Sequence, residues 1–289
     1  MLKSEQPRYY ASTQYILPAD QAETARLNEQ HIIILKAFEN RLFLAPLNLN
    51  TGDRVLESAA GSGIWAVEFA EANHVNGNEV EIECIDISSK QFPTTPGPPH
   101  VHFSIHSVTS LPLEWVNTFS YIHQRFVVLA LNDSLWRSSI KELFRVLKLG
   151  GWIELVELET KRLHSNLGPC TDKLCSWVDK LYAEKGIIQD ISVYLCPILE
   201  EAGFIDVHCE TREVPVGGLV KQVGNGYTGE HCGKVCMAMK EFLINKGVSD
   251  FVTEKEFDEL VEGAVPEWNN SKDAYVRYYT IFAQKPVFS

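Results

Sequence analysis

Apolar and polar positions change their period several times along the chain, and the changes mark out its elements. After Pro18-Ala19-Asp20, a start that can open a helix, Leu27, Ile32, Ile34, Leu35 and Phe38 recur with helical character; Pro46 and the turn Asn50-Thr51-Gly52-Asp53 close that region. From Arg54 the pattern shortens. RVLES (54–58) reads as a strand, Ile64 to about Asn73 as a helix, and VEIECIDI (80–87) as a second strand after the turn Asn76-Gly77-Asn78. The proline-rich run 93–99 can be neither helix nor central strand, so it is a loop. Val101–Val108 reads as a third strand, and Phe119–Leu129 contains a fourth. Asp133 can cap a helix carrying Leu135, Ile140, Leu143, Phe144 and Leu147, which Lys148-Leu149-Gly150-Gly151 ends before a fifth strand at Trp152–Leu158. Helices at Cys170–Lys185 and Ser192–Ala202 follow, then strands at Phe204–Val214 and Tyr275–Gln284.

Strands alternating with helices predict an α/β chain built on βαβ units around a mostly parallel sheet. About sixty residues separate the last two strands, too many for a hairpin loop. This predicts a helical insertion over 214–271, helical from Cys232 to about Ile244 and shaping a substrate pocket. The expected organisation is a helical cap (1–50) on one compact unit (51–289).

The first strand runs into the turn Ala59-Ala60-Gly61-Ser62-Gly63 and then a helix, which presents free backbone N–H groups to a ligand. Gly61 and Gly63 allow a tight turn and a close approach. A dinucleotide site is formally compatible, with Ala66 in the third glycine position of G-x-G-x-x-G. Glu57, two residues before Ala59, argues against it, because a carboxylate beside a pyrophosphate repels it. Asp86 ends the second strand, where a carboxylate can take both hydroxyls of a ribose.

The 289 residues carry a net charge of −12, which disfavours nucleic acid and anionic lipid as partners and favours a small molecule. No apolar run approaches the roughly 18 residues of a membrane span, and MLKSEQPRYY has no secretory character. Seven scattered cysteines read as reduced thiols of a cytoplasmic protein. His231-Cys232…Cys236 lacks a fourth ligand and any C-x-x-C, so no metal is expected.

E-x-A-x-G-x-G resembles motif I of class I S-adenosylmethionine-dependent methyltransferases, in which the acid helps to hold the methionine part of the cofactor. The resemblance extends further. ILPAD…RLNEQH (16–31), GSGIWAVEFA, YIHQRF, FRVLKLGGWIELVELE and the closing YTIFAQKP are similar in order and spacing to the fungal LaeA-like methyltransferases, from about Tyr15 to Pro286. The resemblance implies a Rossmann-like, doubly wound, seven-stranded sheet with N-terminal helices and an insertion before the last strand. It implies S-adenosylmethionine as cofactor, held by Tyr15, Glu57, Ala59, Gly61, Gly63, Asp86, Ile87, Ser107 and Val108. Three positions depart from the family: Ala59 replaces a glycine, Ser107 an aspartate near the adenine amino group, and Ser120 an aspartate of the fourth strand.

Methyl transfer is an in-line displacement that needs positioning, plus a base where the acceptor is a phenol or alcohol. His123 and Arg125, at the carboxyl end of the fourth strand, are candidates to orient or deprotonate an acceptor and to bind an anionic group. They read equally well as internal partners of the N-terminal helix. Tyr15 and Gln30-His31 are candidates to close the pocket. Glu81, Glu83, Glu154, Glu157 and Glu159 read as a solvated rim. The expected reaction is O-methylation of a small metabolite; the alternatives are a regulatory S-adenosylmethionine-binding protein and an enzyme using the pocket for another rearrangement.

Overall fold

In a computed structural model that describes residues 8–95, 97–161, 166–245 and 253–288, one seven-stranded sheet organises the chain. Its strands are β1 (Arg54–Ser58), β2 (Glu81–Asp86), β3 (Val101–Ile105), β4 (Phe119–Arg125), β5 (Leu147–Leu158), β6 (Ile205–Pro215) and β7 (Tyr275–Gln284). The order is β3-β2-β1-β4-β5-β7-β6, parallel except for β7, which is antiparallel to both neighbours. The order reverses between β1 and β4, and a parallel sheet opens a crevice at such a point, outside the carboxyl ends of its strands.

Helices α1 (Gln21–Ala37), α2 (Ile64–Val75), α3 (Asp133–Val146), α4 (Pro169–Lys185) and α5 (Ile191–Glu201) cover the two faces. Successive residues of a strand point to opposite faces, so both must be apolar where both are covered. Val55 and Tyr121 pack with Trp65 and Phe69 of α2 on one face. Leu56, Ile122 and Ile153 face the larger core, which holds Trp136, Leu143 and the helices that follow β5. Asp20 caps α1 by accepting the Glu23 N–H, and Asn132 caps α3 in the same way.

Several boundaries differ from the sequence pattern: the third strand ends at Ile105 instead of Val108, and Asn132 takes the capping role expected of Asp133. Lys148–Gly151, expected to stop a helix, begins β5: Gly150 takes φ +74°, and a Cβ on Gly151 would lie 2.9 Å from the Ser120 carbonyl. The glycines there allow close strand packing. Between β6 and β7 the structure has α6 (Val220–Val223), α7 (Gly229–Ala238), α8 (Lys240–Asn245) and α9 (Glu254–Asn270). The single helix expected from Cys232 to Ile244 is broken at Met239, and α9 went unread although Thr253 and Glu256 form a capping box at its start.

Lys285 locks the end of β7. Its ammonium, buried by the chain, donates to Asn117 Oδ1 (2.8 Å), the Phe144 carbonyl (2.6 Å) and the Leu147 carbonyl (2.8 Å), which uses all three donors. Lys285→Met keeps the aliphatic stem and strands those acceptors. A loss of about 2 kcal/mol in urea unfolding is expected; an unchanged midpoint would show that water replaces the ammonium.

Candidate functional site

A cavity of about 320 Å³ opens at the sheet reversal, within the range of small-molecule sites. Ser58 to Ser62 after β1, Asp86, Ile87 and Gln91 after β2, and His106 to Thr109 after β3 form one wall. The other comes from Ala11 to Ala19, from Leu27 and Gln30 of α1, and from the segment Arg125–Leu135 after β4.

The turn after β1 is wound by left-handed residues: Ala59 (φ +55°), Gly61 (φ +53°) and Gly63 (φ +72°). Gly61 donates its N–H to Asp86 Oδ2 at 3.0 Å, and Ser88 donates to Oδ1 at 3.1 Å, so the Asp86 carboxyl ties the turn to the end of β2. Burial raises the pKa of this carboxyl, against the pull of those N–H groups. A carboxylate has about four acceptor sites, so capacity remains for ribose hydroxyls. Gly63 serves another purpose. It does not line the cavity, and a Cβ there would lie 2.5 Å from the Phe103 ring, so glycine is required for α2 to pack against β3.

Tyr15, Ala59, Gly61, Asp86, Ile87, Ser107, Val108 and Arg125 all border the cavity. Glu57 and His123 do not; they face the other side of the sheet, with Val55 and Tyr121. Glu57 Oε2 and His123 Nδ1 are 2.5 Å apart, both side chains almost fully buried, and the Trp65 ring stacks on the imidazole at 3.8 Å. Burial drives both toward their neutral forms, Glu57 well above the usual carboxylate range and His123 down to about 3. Both sit below the strand ends on the Trp65 side. Arg125, in phase with His123 and bordering a smaller cavity with it and Trp65, reaches the main cavity because it is the last residue of β4. His123 is therefore not presented to an acceptor, nor Glu57 to a cofactor, in this conformation.

Arg125 reaches the cavity as the last residue of β4, and its Nη1 donates to His31 Nδ1 at 2.9 Å. His31 Nδ1 must then be an acceptor, which leaves the proton on Nε2 to donate to Glu68 Oε2, also at 2.9 Å. Burial, and next the Arg125 charge, hold His31 neutral with a pKa of about 4. Ser107 bonds Thr109 at 2.8 Å on the cavity wall. Ser120 lies at the opposite edge of the sheet, bonded to Asp53 and Lys148.

Two sets of residues escaped the sequence reading. Glu154 and Glu157 are buried instead of forming a rim: Glu154 accepts the N–H groups of Leu44 and Ala45 (2.8 Å each), and Glu157 those of Val127 (3.0 Å) and Val128 (3.1 Å), bracing the cavity segment after β4. Glu159 is buried likewise, accepting from the Tyr279 hydroxyl. Gln91 borders the cavity with a buried Nε2 that has no hydrogen-bond partner among the described residues, which suits a polar ligand beside Asp86. Among the described residues, none of 214–271 lines the cavity. The insertion instead holds the N-terminal segment, through Tyr10 to the Ala238 carbonyl (2.9 Å) and Asn225 to the Ile33 carbonyl (3.0 Å).

The chain matches the methyltransferase-domain family over residues 30–208, more than half its length, and belongs to that family. It is an S-adenosylmethionine-dependent methyltransferase, and its curated relatives are fungal. The N-methyltransferase tcpN of Claviceps purpurea is 28% identical over 83% of this chain and 86% of its own length. The N-methyltransferase sirN of Leptosphaeria maculans is 31% identical over 70% of each. Among solved structures, a protein assigned to an antibiotic biosynthesis pathway of Anabaena variabilis superposes with a TM-score of 0.55 (15% identity, 94% of this chain, 100% of that one). The [4+2]-cyclase SpnF gives 0.51 (18%, 98% and 88%). These two likenesses are of fold.

Two outcomes follow from the site. Ala59→Gly removes a left-handed alanine and should stabilise the chain by about 1 kcal/mol, raising Tm by about 2 °C; an unchanged Tm would mean that the turn accommodates the methyl group without strain. Stability should also hold roughly level from about pH 4.5 to 6.5, where the slopes of two buried groups oppose, and fall from there toward pH 8. The burial-raised carboxyl of Glu157, pushed up to about 8, contributes stability below its unfolded pKa that is lost as pH rises toward 8. His31 contributes stability above its unfolded pKa that is lost as pH falls toward 4. Melting curves from pH 4 to 9 test this. Glu157→Gln should flatten the alkaline limb, and an unflattened limb assigns it elsewhere.

Proposed function

We propose that the chain transfers a methyl group from S-adenosylmethionine to a nitrogen of an uncharged small metabolite. The observation that carries this reading is the composition of the cavity wall. One stretch has Asp86, Gln91 and the Gly-rich turn; the other is largely apolar, with Leu27, Ala130, Leu131 and Leu135 beside Gln14, Tyr15 and Gln30, and Arg125 as its charged residue. The former suits adenosine. The latter offers no second carboxylate to select a cationic amine, which supports an uncharged acceptor.

When bound, S-adenosylmethionine supplies an electrophilic methyl group on a sulfonium. In our reading Asp86 takes the ribose hydroxyls, with Ile87, Ser107 and Val108 around the adenine and Tyr15 covering the cofactor from the N-terminal side. The cap (1–50) selects the acceptor, held in place from behind by 214–271. A neutral nitrogen would react through its own lone pair and shed its surplus proton to water after the transfer, so the task of the residues that hold cofactor and acceptor would be alignment. An oxygen acceptor would call for a base. His123 is sealed beneath Trp65, and burial pushes Tyr15 upward, which makes it a donor at neutral pH. The N-methyltransferase relatives support nitrogen for the same position in the reaction.

The chain should be incubated with S-adenosylmethionine and a panel of amides, amines, phenols and alcohols, with products heavier by one methylene fragmented to locate the methyl group. Nitrogen products are expected. Exclusive oxygen methylation would overturn the choice of atom, and His123→Gln should leave turnover per folded molecule within about threefold, against the 100-fold or greater loss that removing a general base brings.

A further inference from the structure

Among the described residues, Arg125 is a cation without an ion pair. Its guanidinium carries five donors; one is used on the neutral His31 ring, and no carboxylate lies within 4 Å of it among the described residues. Glu57 and Glu68, the acids that influence it, are committed to His123 and His31. Burial works against its charge, and a charge in such a place requires a counter-charge from somewhere. The same side chain lines the cavity, so the counter-charge can arrive with a ligand.

The sheet order says which ligand group. Asp86 ends β2, on one side of β1, and Arg125 ends β4, on the other. An adenosine whose ribose meets Asp86 directs its amino-acid tail across the β1 turn toward β4. That tail is a zwitterion. Glu57, the acid expected to meet its ammonium group, is on the far face of the sheet, whereas the charge offered at this end of the cavity is positive.

The geometry points to Arg125 as the partner of the carboxylate of the cofactor's methionine moiety, oriented for that task by the His31–Glu68 relay. A guanidinium presents paired N–H groups that match a carboxylate, and a lysine would not reproduce them. The inference rests on the reading of the cavity as the S-adenosylmethionine site.

The test compares two ligands by calorimetry: S-adenosylhomocysteine and its decarboxylated analogue, which keeps the amine and lacks the carboxylate. The native chain should bind the analogue about 10- to 100-fold more weakly, the scale of a charged hydrogen bond. Arg125→Met should bind S-adenosylhomocysteine that much more weakly than the native chain and bind the two ligands within about threefold of each other. Equal affinity of the native chain for both ligands would overturn the inference without needing any variant to fold. So would an Arg125→Met chain that still discriminates, or one whose S-adenosylhomocysteine affinity is unchanged, which would assign the guanidinium to the acceptor. Failure of the native chain to bind either ligand would instead overturn the reading of the cavity itself.

Discussion

Burying charge beneath the carboxyl edge of a parallel sheet is the constraint on which the rest of this site depends. Strands β1, β4 and β5 end in Glu57, His123, Arg125, Glu154 and Glu157, and helices cover both faces. Each group must be neutralised or bonded. Glu57 and His123, both held neutral by burial, bond each other under Trp65. Glu154 and Glu157 take up backbone N–H groups of loops that have no ladder to join. Arg125 reaches through His31 to Glu68, at the edge of solvent. These pairings fix where the loops after β1 and β4 run, and the cavity is the space those loops leave.

Much of the frame was legible in the sequence. β1 and β7 stand where their patterns put them, and the asparagine, glycine and proline turns between strands were read correctly. What escaped has physical causes. An acid between apolar residues at a strand end looks the same whether it faces water or a loop's N–H groups, so Glu154 and Glu157 read as a rim. Lys148–Gly151 resembles a helix stop because glycine also permits the close strand approach found there. α9 carries a capping box, Thr253 to Glu256, with Phe257, Val261, Ala264 and Trp268 on one face, but Gly263 and Pro266 inside it obscure the helical pattern. For the site, Asp86 and the Gly-rich turn follow from strand–turn–helix chemistry alone. The side of the sheet on which Glu57 and His123 fall depends on a one-residue phase that a five-residue strand does not announce.

The likeness to a [4+2]-cyclase as well as to methyltransferases shows how little of the reaction resides in the scaffold. The family match spans residues 30–208, which carry β1 to β5 and the Gly-rich turn. In our reading the acceptor meets α1 and the segment after β4, while Tyr15 covers the cofactor. Phe126, left-handed at φ +60°, stands on the cavity wall just after β4.

The cover over the cavity is the chain's own beginning, clasped at its rim. Tyr10 bonds Ala238 and stacks edge-on against Phe242, Gln14 bonds the Lys185 carbonyl at 3.0 Å, and Lys185 returns a bond to Thr13 at 2.8 Å. Behind these bonds Ile16 and Leu17 belong to the same buried core as Leu56, Trp136 and Ile153. Opening the cover breaks no strand ladder but bares Ile16, Leu17 and Ala19, so the cost of admitting and releasing ligands through it is largely that of wetting a strip of core, while the sheet can stay paired.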